Sequence, residues 1–145
     1  MSMSSIFIVI GVVAIGFAMQ IVATVIHNNS KKQFEKENPD AAMMIIKDRQ
    51  FHLLGFTETL QCLTINGQQY PQIMDGFKRG YYLVPGSNVL ELQYETQRPG
   101  ILHKWVRTTY DPQKIEVTAE PKKKYSISYN KKAQQFIFEE VAQAK

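Results

Sequence analysis

The chain has 145 residues, a formal net charge of +4 and a single cysteine. That length fits one domain with an appendage. One cysteine excludes an internal disulfide, and so modest a positive charge does not favour a nucleic-acid-binding protein. Charge is unevenly distributed, because all 17 Lys and Arg residues and all 13 Asp and Glu residues follow Ser30.

Residues 6–26 are apolar except for Gln20 and Thr24. An α-helix of this length spans about 31 Å, which matches the hydrocarbon core of a bilayer, and satisfies its own backbone hydrogen bonds there. No basic residue precedes the run and no Ala-x-Ala site follows it, so we expect an uncleaved anchor. Ala14 and Ala18 form a small-xxx-small pair, which predicts association of the helix with a second copy.

Three lysines, Lys31, Lys32 and Lys36, follow the apolar run. Positive flanks tend to stay in the cytoplasm, so this asymmetry favours a cytoplasmic domain. Pro39 should end the helix, since proline disfavours helical backbone in the residue before it. We therefore divide the chain into an anchor (1–30), a juxtamembrane linker (31–40) and a β-domain (41–145).

After residue 40 the helical period disappears and short β-rich runs follow, separated by turn residues. This pattern predicts one antiparallel β-sandwich of about seven to nine short strands behind the transmembrane helix. Residues 48–59 fit either a long loop or a short helix. The predicted strands are residues 42–47, 60–65, 68–71, 81–84, 89–95, 101–110, 114–119, 124–129 and 136–141.

Two turns are especially clear in the sequence. Asn66-Gly67 is the strongest short hairpin signal, and residues 68–71 would form its return strand. Pro85-Gly86 suits a type II turn, because proline fixes φ and glycine accepts a positive φ. We predict a second hairpin around Pro85-Gly86, and no phosphate-binding pattern surrounds this glycine.

The order of these turns resembles that of PEGA-like domains and related small bacterial β-sandwich domains of unknown function. The resemblance covers residues 41–141 and rests on Asn66-Gly67, Val84-Pro85-Gly86 and Lys124-Tyr125. The chain departs from the pattern at Pro121-Lys122, where a glycine is usual. The resemblance implies a non-catalytic domain that is extracytoplasmic or surface-associated, whereas the lysine flank favours the cytoplasmic side.

No catalytic or metal-binding pattern is apparent. His27, His52 and His103 lack ligand spacing, and Cys62 has no cysteine partner, so no metal or cofactor is expected. A nucleophilic pair of Cys62 with His52 or His103 is conceivable, but a catalytic cysteine needs a positioned base and an electropositive pocket. A structural cysteine is the simpler interpretation. We expect no enzymatic activity.

Two sets of residues are candidates for binding. Trp105, Arg107, Tyr81 and Tyr82 are of the types that dominate interfaces, although core packing is the alternative for each. The lysines of two loops could contact anionic lipid, although the loops would lie at opposite ends of one hairpin. These lysines and the three on the flank form the predicted membrane-proximal basic set: Lys31, Lys32, Lys36, Lys122, Lys123, Lys124, Lys131 and Lys132.

Taken together, these features predict a non-enzymatic, single-pass membrane protein. It would contact the bilayer through residues 6–26 and display a sandwich that binds a protein or envelope component. Two alternatives remain open: a small-ligand or carbohydrate-binding module, and an accessory subunit of a membrane enzyme or transport complex.

Overall fold

The computed structural model describes residues 3–49, 55–101 and 104–142, with side chains from Ile6 onward. The chain divides into two compact units, Met1–Glu37 and Asn38–Lys145. The first is one helix and the second is built from nine strands in two sheets. The predicted fold class, a β-sandwich behind an N-terminal helix, is confirmed.

Helix α1 runs without interruption over Met3–Glu37. It includes residues 31–37 of the predicted linker and ends just before Asn38-Pro39. Two side chains within it bond back to the preceding turn: Thr24 Oγ1 donates to the Gln20 carbonyl at 2.8 Å and Ser30 Oγ to the Ile26 carbonyl at 3.0 Å. These bonds partner polar groups inside an otherwise apolar helix. Among the described residues, α1 is the one helix long and apolar enough to cross a membrane.

The nine strands form a five-stranded sheet A, in the order β3-β4-β1-β8-β9, and a smaller sheet B. In sheet B, β5 pairs with β2 on one edge and with both β6 and β7 on the other. All described pairs are antiparallel except β1 with β8, which are parallel. The strands are β1 (Ala42–Ile46), β2 (Thr57–Ile65), β3 (Gln72–Asp75), β4 (Lys78–Leu83), β5 (Gly86–Pro99), β6 (Trp105–Thr109), β7 (Gln113–Ala119), β8 (Lys124–Asn130) and β9 (Gln135–Glu140).

The predicted hairpin at Pro85-Gly86 is wrong, because β4 lies in sheet A and β5 in sheet B. The chain instead crosses between the sheets here. Asn88 holds the crossing: its buried side-chain amide donates to the carbonyls of Val84 at 2.8 Å and Gly86 at 3.0 Å. A turn signal therefore marked the bend correctly but did not specify which strands it joins.

The predicted return strand 68–71 is also wrong. Asn66 and Gly67 both have positive φ, as a type I′ turn requires. Pairing continues only as a single bridge between Ile65 and Gln68, after which the chain moves to sheet A as β3. Of residues 48–59, those at 50–54 lie outside the described part of the chain, and 57–59 begin β2.

The core lies between the two sheets. Its fully buried side chains include Met44, Leu60, Leu92 and Ile127. Alternation in β5 produces this burial, since Leu90, Leu92 and Tyr94 face inward while their neighbours face out. The half-buried aromatics Tyr110, Tyr129 and Phe136 pack against the same core.

The strand directions define two ends of the sandwich. We call the end at which β1 begins the near end, since the chain arrives there from α1, and the opposite end the far end. Because β8 runs parallel to β1, Lys124 lies at the near end and Asn130 at the far end. At the far end, β5 continues past Tyr94, which stacks on Tyr129 of β8 at a centroid distance of 4.2 Å. The hairpin formed by Glu95–Pro99 and Trp105–Thr109 is named the β5–β6 arm.

Candidate binding surfaces

Trp105 and Arg107 lie on the outward face of the β5–β6 arm, where every residue of β6 is exposed. The Trp105 side chain is 60% exposed. The outer edge of its indole lies beside Gly55, where an added Cβ would stand 3.4 Å from Trp105 Cη2 and 3.2 Å from Pro99 Cγ. Gly55 also has a φ of +75°, which favours glycine. The indole edge thus lies close to Gly55 while most of the side chain is exposed to solvent.

A cross-strand network orders the polar groups beside this indole. Arg107 Nε lies 3.1 Å from a carboxylate oxygen of Glu95, and the second oxygen accepts a hydrogen bond from Thr109 Oγ1 at 3.1 Å. Cross-strand pairs of this kind hold long side chains in one arrangement. The arm therefore presents an exposed Trp and a restrained Arg side by side.

Tyr81 and Tyr82 do not join this surface, because both lie on β4 in sheet A. Both are half-buried and, as neighbours on a strand, they point to opposite faces. Tyr81 packs against the core, as its core-packing alternative anticipated. The four predicted binding residues thus separate into an exposed pair on the arm and a half-buried pair within the sandwich.

Cys62 lines a groove of about 260 Å³ together with Tyr70, Gln72 and Tyr81. Its thiol points to the Thr64 carbonyl oxygen at 3.6 Å. Burial raises the pKa of this thiol from 9.0 to about 12, so it stays protonated at neutral pH. A thiol in this state is a poor nucleophile. His52 and His103, its conceivable bases, lie outside the described residues.

Within residues 3–49, 55–101 and 104–142, no group of three or more His, Cys, Asp and Glu side chains is placed to hold a metal ion. The grooves described above and below are open to solvent.

The near-end lysines are engaged in ion pairs. Lys122 Nζ lies 3.1 Å from Asp40, and Lys123 Nζ bridges Glu120 at 2.8 Å and Glu140 at 3.0 Å. The bonds to Glu120 and Glu140 raise the pKa of Lys123. Lys124 Nζ reaches Asp75 at 2.7 Å. All three lysines are therefore paired, Lys122 and Lys123 with nearby carboxylates and Lys124 with the last residue of β3.

Lys131 and Lys132 lie in the β8–β9 turn at the far end, so the two lysine loops are separated by the length of β8. That separation is the one expected from the sequence. Seven residues of strand span about 20 Å. The set predicted to be membrane-proximal therefore does not form one surface within the sandwich. The other members of that set, Lys31, Lys32 and Lys36, lie in the last two turns of α1.

The far end of sheet A carries a basic surface that the sequence reasoning missed. Two open grooves, of about 420 and 630 Å³, meet there and share Lys47, Asp48 and Arg49. Among the described residues, six cationic side chains and two carboxylates line them, a surplus as large as the net charge of the whole chain. The cations are Lys47, Arg49, Lys78, Arg79, Lys131 and Lys132, and the carboxylates are Asp48 and Glu58.

Both carboxylates are already paired. Asp48 lies 2.5 Å from Arg79 and accepts a hydrogen bond from the Leu60 backbone N–H at 3.1 Å. Glu58 pairs with Lys131. The remaining four cations, Lys47, Arg49, Lys78 and Lys132, make no ion pair with any residue in the described part of the chain.

The contacts of Asp48 also fix the position of this surface. Asp48 and Arg79 belong to sheet A and its margin, whereas Leu60 belongs to β2 in sheet B. Arg79 donates to the Leu60 carbonyl as well, at 3.3 Å, and the Glu58 N–H donates to the Arg49 carbonyl at 2.8 Å. Residues 47–49 are thereby clamped across the free edge of β2.

Phe77 completes the surface as an apolar tip. It follows Gly76 in the β3–β4 turn, its side chain is fully exposed, and it lines the smaller groove beside Lys78. The signal was available in the sequence, because an aromatic residue in an Asp-Gly turn, followed by Lys78-Arg79, has no core position to occupy. We name Lys47, Arg49, Phe77, Lys78 and Lys132 the sheet A rim.

No family model, curated protein or solved structure matches the chain. Its function is therefore argued from these surfaces alone, and the resemblance to PEGA-like domains stays a prediction.

Proposed function

We propose that this chain is a non-enzymatic, single-pass membrane protein that displays a β-sandwich as a binding module for a protein or envelope component. Residues 6–26 of α1 would be the anchor. Their length and their lack of charge support this assignment. The sandwich follows α1 in the chain after residues 38–41.

The observation that carries the proposal is the exposed pair Trp105 and Arg107. An indole with 60% of its surface in water loses apolar hydration when a partner covers it. Trp and Arg are the residue types most enriched among energetic hot spots of interfaces. The arm also carries an exposed apolar tip, since Ile101 is 94% exposed.

The side of the membrane remains a two-way prediction. Lys31, Lys32 and Lys36 favour the cytoplasm, whereas the resemblance to PEGA-like domains favours the extracytoplasmic side. A cysteine placed at the exposed Ser87, in a Cys62→Ser background, would be tested with a membrane-impermeant thiol reagent on intact cells. Labelling supports the extracytoplasmic side, and protection that ends on lysis supports the cytoplasmic one.

Ala14 and Ala18 are both exposed on α1 and lie on one helical face at a spacing of four residues. This arrangement supports the proposal that two anchors associate through that face. The alternatives of a carbohydrate-binding module and of an accessory subunit have no specific contact in their favour.

The proposed binding surface is tested by in-cell photo-crosslinking. A photoreactive residue at Gln97, beside Arg107, should give a discrete adduct in the membrane fraction, and Trp105→Ala with Arg107→Ala should abolish it. The same probe at Lys114, which is exposed on β7, is the matched control. Equal adducts from both positions, or none from Gln97, would contradict binding through the arm.

A further inference from the structure

We propose that the sheet A rim is a lipid-docking surface that binds the headgroups of an anionic bilayer. This inference rests on the proposed display of the sandwich at a membrane, but uses a different surface from the β5–β6 arm. The rim lies at the end of the domain opposite the point where the chain arrives from α1.

Charge complementarity is the first argument. Lys47, Arg49, Lys78 and Lys132 face two connected grooves without an acidic partner among the described residues. Basic side chains near an anionic leaflet each strengthen binding by about fivefold, and a group acts together when all lie within a Debye length of the surface. Lys122, Lys123 and Lys124 at the near end are also basic, but each would have to break its ion pair before it could bind a lipid headgroup.

The arrangement of the cations is the second argument. They lie along the far edge of one sheet, from the β3–β4 turn across the end of β1 to the β8–β9 turn. Neighbouring strands are about 4.8 Å apart, so the row spans on the order of 15–20 Å. A row of this width faces several lipid headgroups at once. Both grooves are open to solvent.

Phe77 is the third argument and favours a bilayer over a soluble polyanion. The Phe77 side chain lies outside the core and is fully exposed to solvent next to Lys78. An aromatic ring beside basic residues suits the interface, where the ring enters the headgroup region while the cations meet phosphates. A purely electrostatic ligand would gain nothing from this side chain.

The clamp formed by Asp48, Arg79 and Leu60 supports the same surface. It holds the backbone of residues 47–49 on a fixed segment between the sheets, so docking would not have to order that segment. Binding by side chains on an ordered segment loses less conformational entropy than binding by a flexible tail.

The test uses the full chain, reconstituted through α1 in phosphatidylcholine nanodiscs, and measures capture of fluorescent vesicles. We expect capture of vesicles that contain phosphatidylglycerol, little capture of pure phosphatidylcholine vesicles, and loss of capture at high salt. The double variant Lys47→Glu/Lys78→Glu should weaken capture by about a hundredfold or more, because it reverses two charges. Phe77→Ser should weaken it about tenfold through the lost apolar contact.

The matched control is Lys114→Glu/Lys122→Glu, which makes the same change in net charge away from the rim and should capture vesicles nearly as well as the unmodified chain. Equal capture of neutral and anionic vesicles, or equal loss in both double variants, would overturn the proposal. So would binding of soluble polyphosphate without capture of vesicles. The comparison of lipids needs no variant, so misfolding of a variant cannot obscure it, and crosslinking at the arm reports separately on the proposed function.

Discussion

Three lysines at one end of the sandwich and three at the other differ in their acidic neighbours. The near-end lysines are Lys122, Lys123 and Lys124, and the far-end lysines compared with them are Lys47, Lys78 and Lys132. The near-end lysines each lie within about 3 Å of a carboxylate, whereas the far-end three have no acidic partner among the residues that the structure describes. Runs of basic residues in a sequence therefore do not identify a basic surface. The folded positions of the acidic residues decide which lysines are available to a partner.

The largest expected effect concerns Cys62, which lies between the two ends of the sandwich. It would show whether this thiol is reactive. A pKa near 12 leaves Cys62 about a thousandfold less ionised at pH 8 than a thiol with the ordinary value of 9.0. We expect iodoacetamide to modify Cys62 about fiftyfold more slowly in the folded chain than in denaturant, because the loss of thiolate outweighs the higher nucleophilicity of a more basic sulfur. Mass spectrometry of timed samples measures both rates.

Comparable rates in the two states would show a reactive thiol and would reopen the interpretation that Cys62 takes part in catalysis. The raised pKa also has a consequence for stability. The folded thiol keeps its proton between about pH 9 and 12 while the unfolded thiol releases it, so this stabilisation is complete below pH 9 and is lost as pH rises towards 12. Cys62→Ser should therefore lose less stability across that range than the unmodified chain.

The next effect contrasts the acidic residues at the two ends. Asp48 is 8% exposed and holds both Arg79 and the Leu60 N–H, whereas the Asp40 side chain is 59% exposed and pairs only with Lys122 at the surface. Asp48→Ala should lower the free energy of unfolding by about 3 kcal/mol, because it leaves a partly buried cation without its partner. Asp40→Ala should cost less than about 0.5 kcal/mol, since exposed pairs contribute little.

Urea unfolding of both variants measures this difference, and Asp48→Asn is the informative control. The amide retains an oxygen for the Leu60 N–H but loses the charge that pairs with Arg79, so an intermediate cost is expected. Equal costs for Asp48→Ala and Asp40→Ala would show that the clamp does not join the two sheets energetically.

Local patterns in the sequence predicted the strands better than they predicted strand partners. The alternation of β5 reported directly which side chains face the core, because period two follows from strand geometry. Pro85-Gly86 and Asn66-Gly67 fixed two bends but not the sheet into which the chain continues, since that depends on long-range packing. The parallel pairing of β1 with β8 joins segments about 80 residues apart, and no local signal encodes it.

The dependence on long-range packing also explains which binding residues could be identified from the sequence. Trp105 was identified by type, and its exposure could be judged only once β6 was placed on the arm. Lys47, Arg49 and Lys78 went unnoticed because they are scattered along the sequence and meet only at the ends of adjacent strands. Phe77 is the exception, since its turn position was readable.

The smallest expected effect concerns the reactivity of single lysine amines at the two ends of the sandwich. Hydrogen bonds from Lys123 to Glu120 and Glu140 raise its pKa, so less of the free amine is present at mildly alkaline pH. Acetylation of Lys123 by an N-hydroxysuccinimide ester should therefore be several-fold slower than in a Glu120→Gln/Glu140→Gln variant. The acetylation rate of Lys132, which has neither partner, should be the same in both proteins.

Peptide mapping after brief labelling gives each rate, and an unchanged rate at Lys123 would mean that the near-end pairs do not persist in solution. In that case the near-end lysines would be as available to anionic lipid as the lysines of the sheet A rim. Charge reversal at the near end should then weaken vesicle capture as much as charge reversal at the far end.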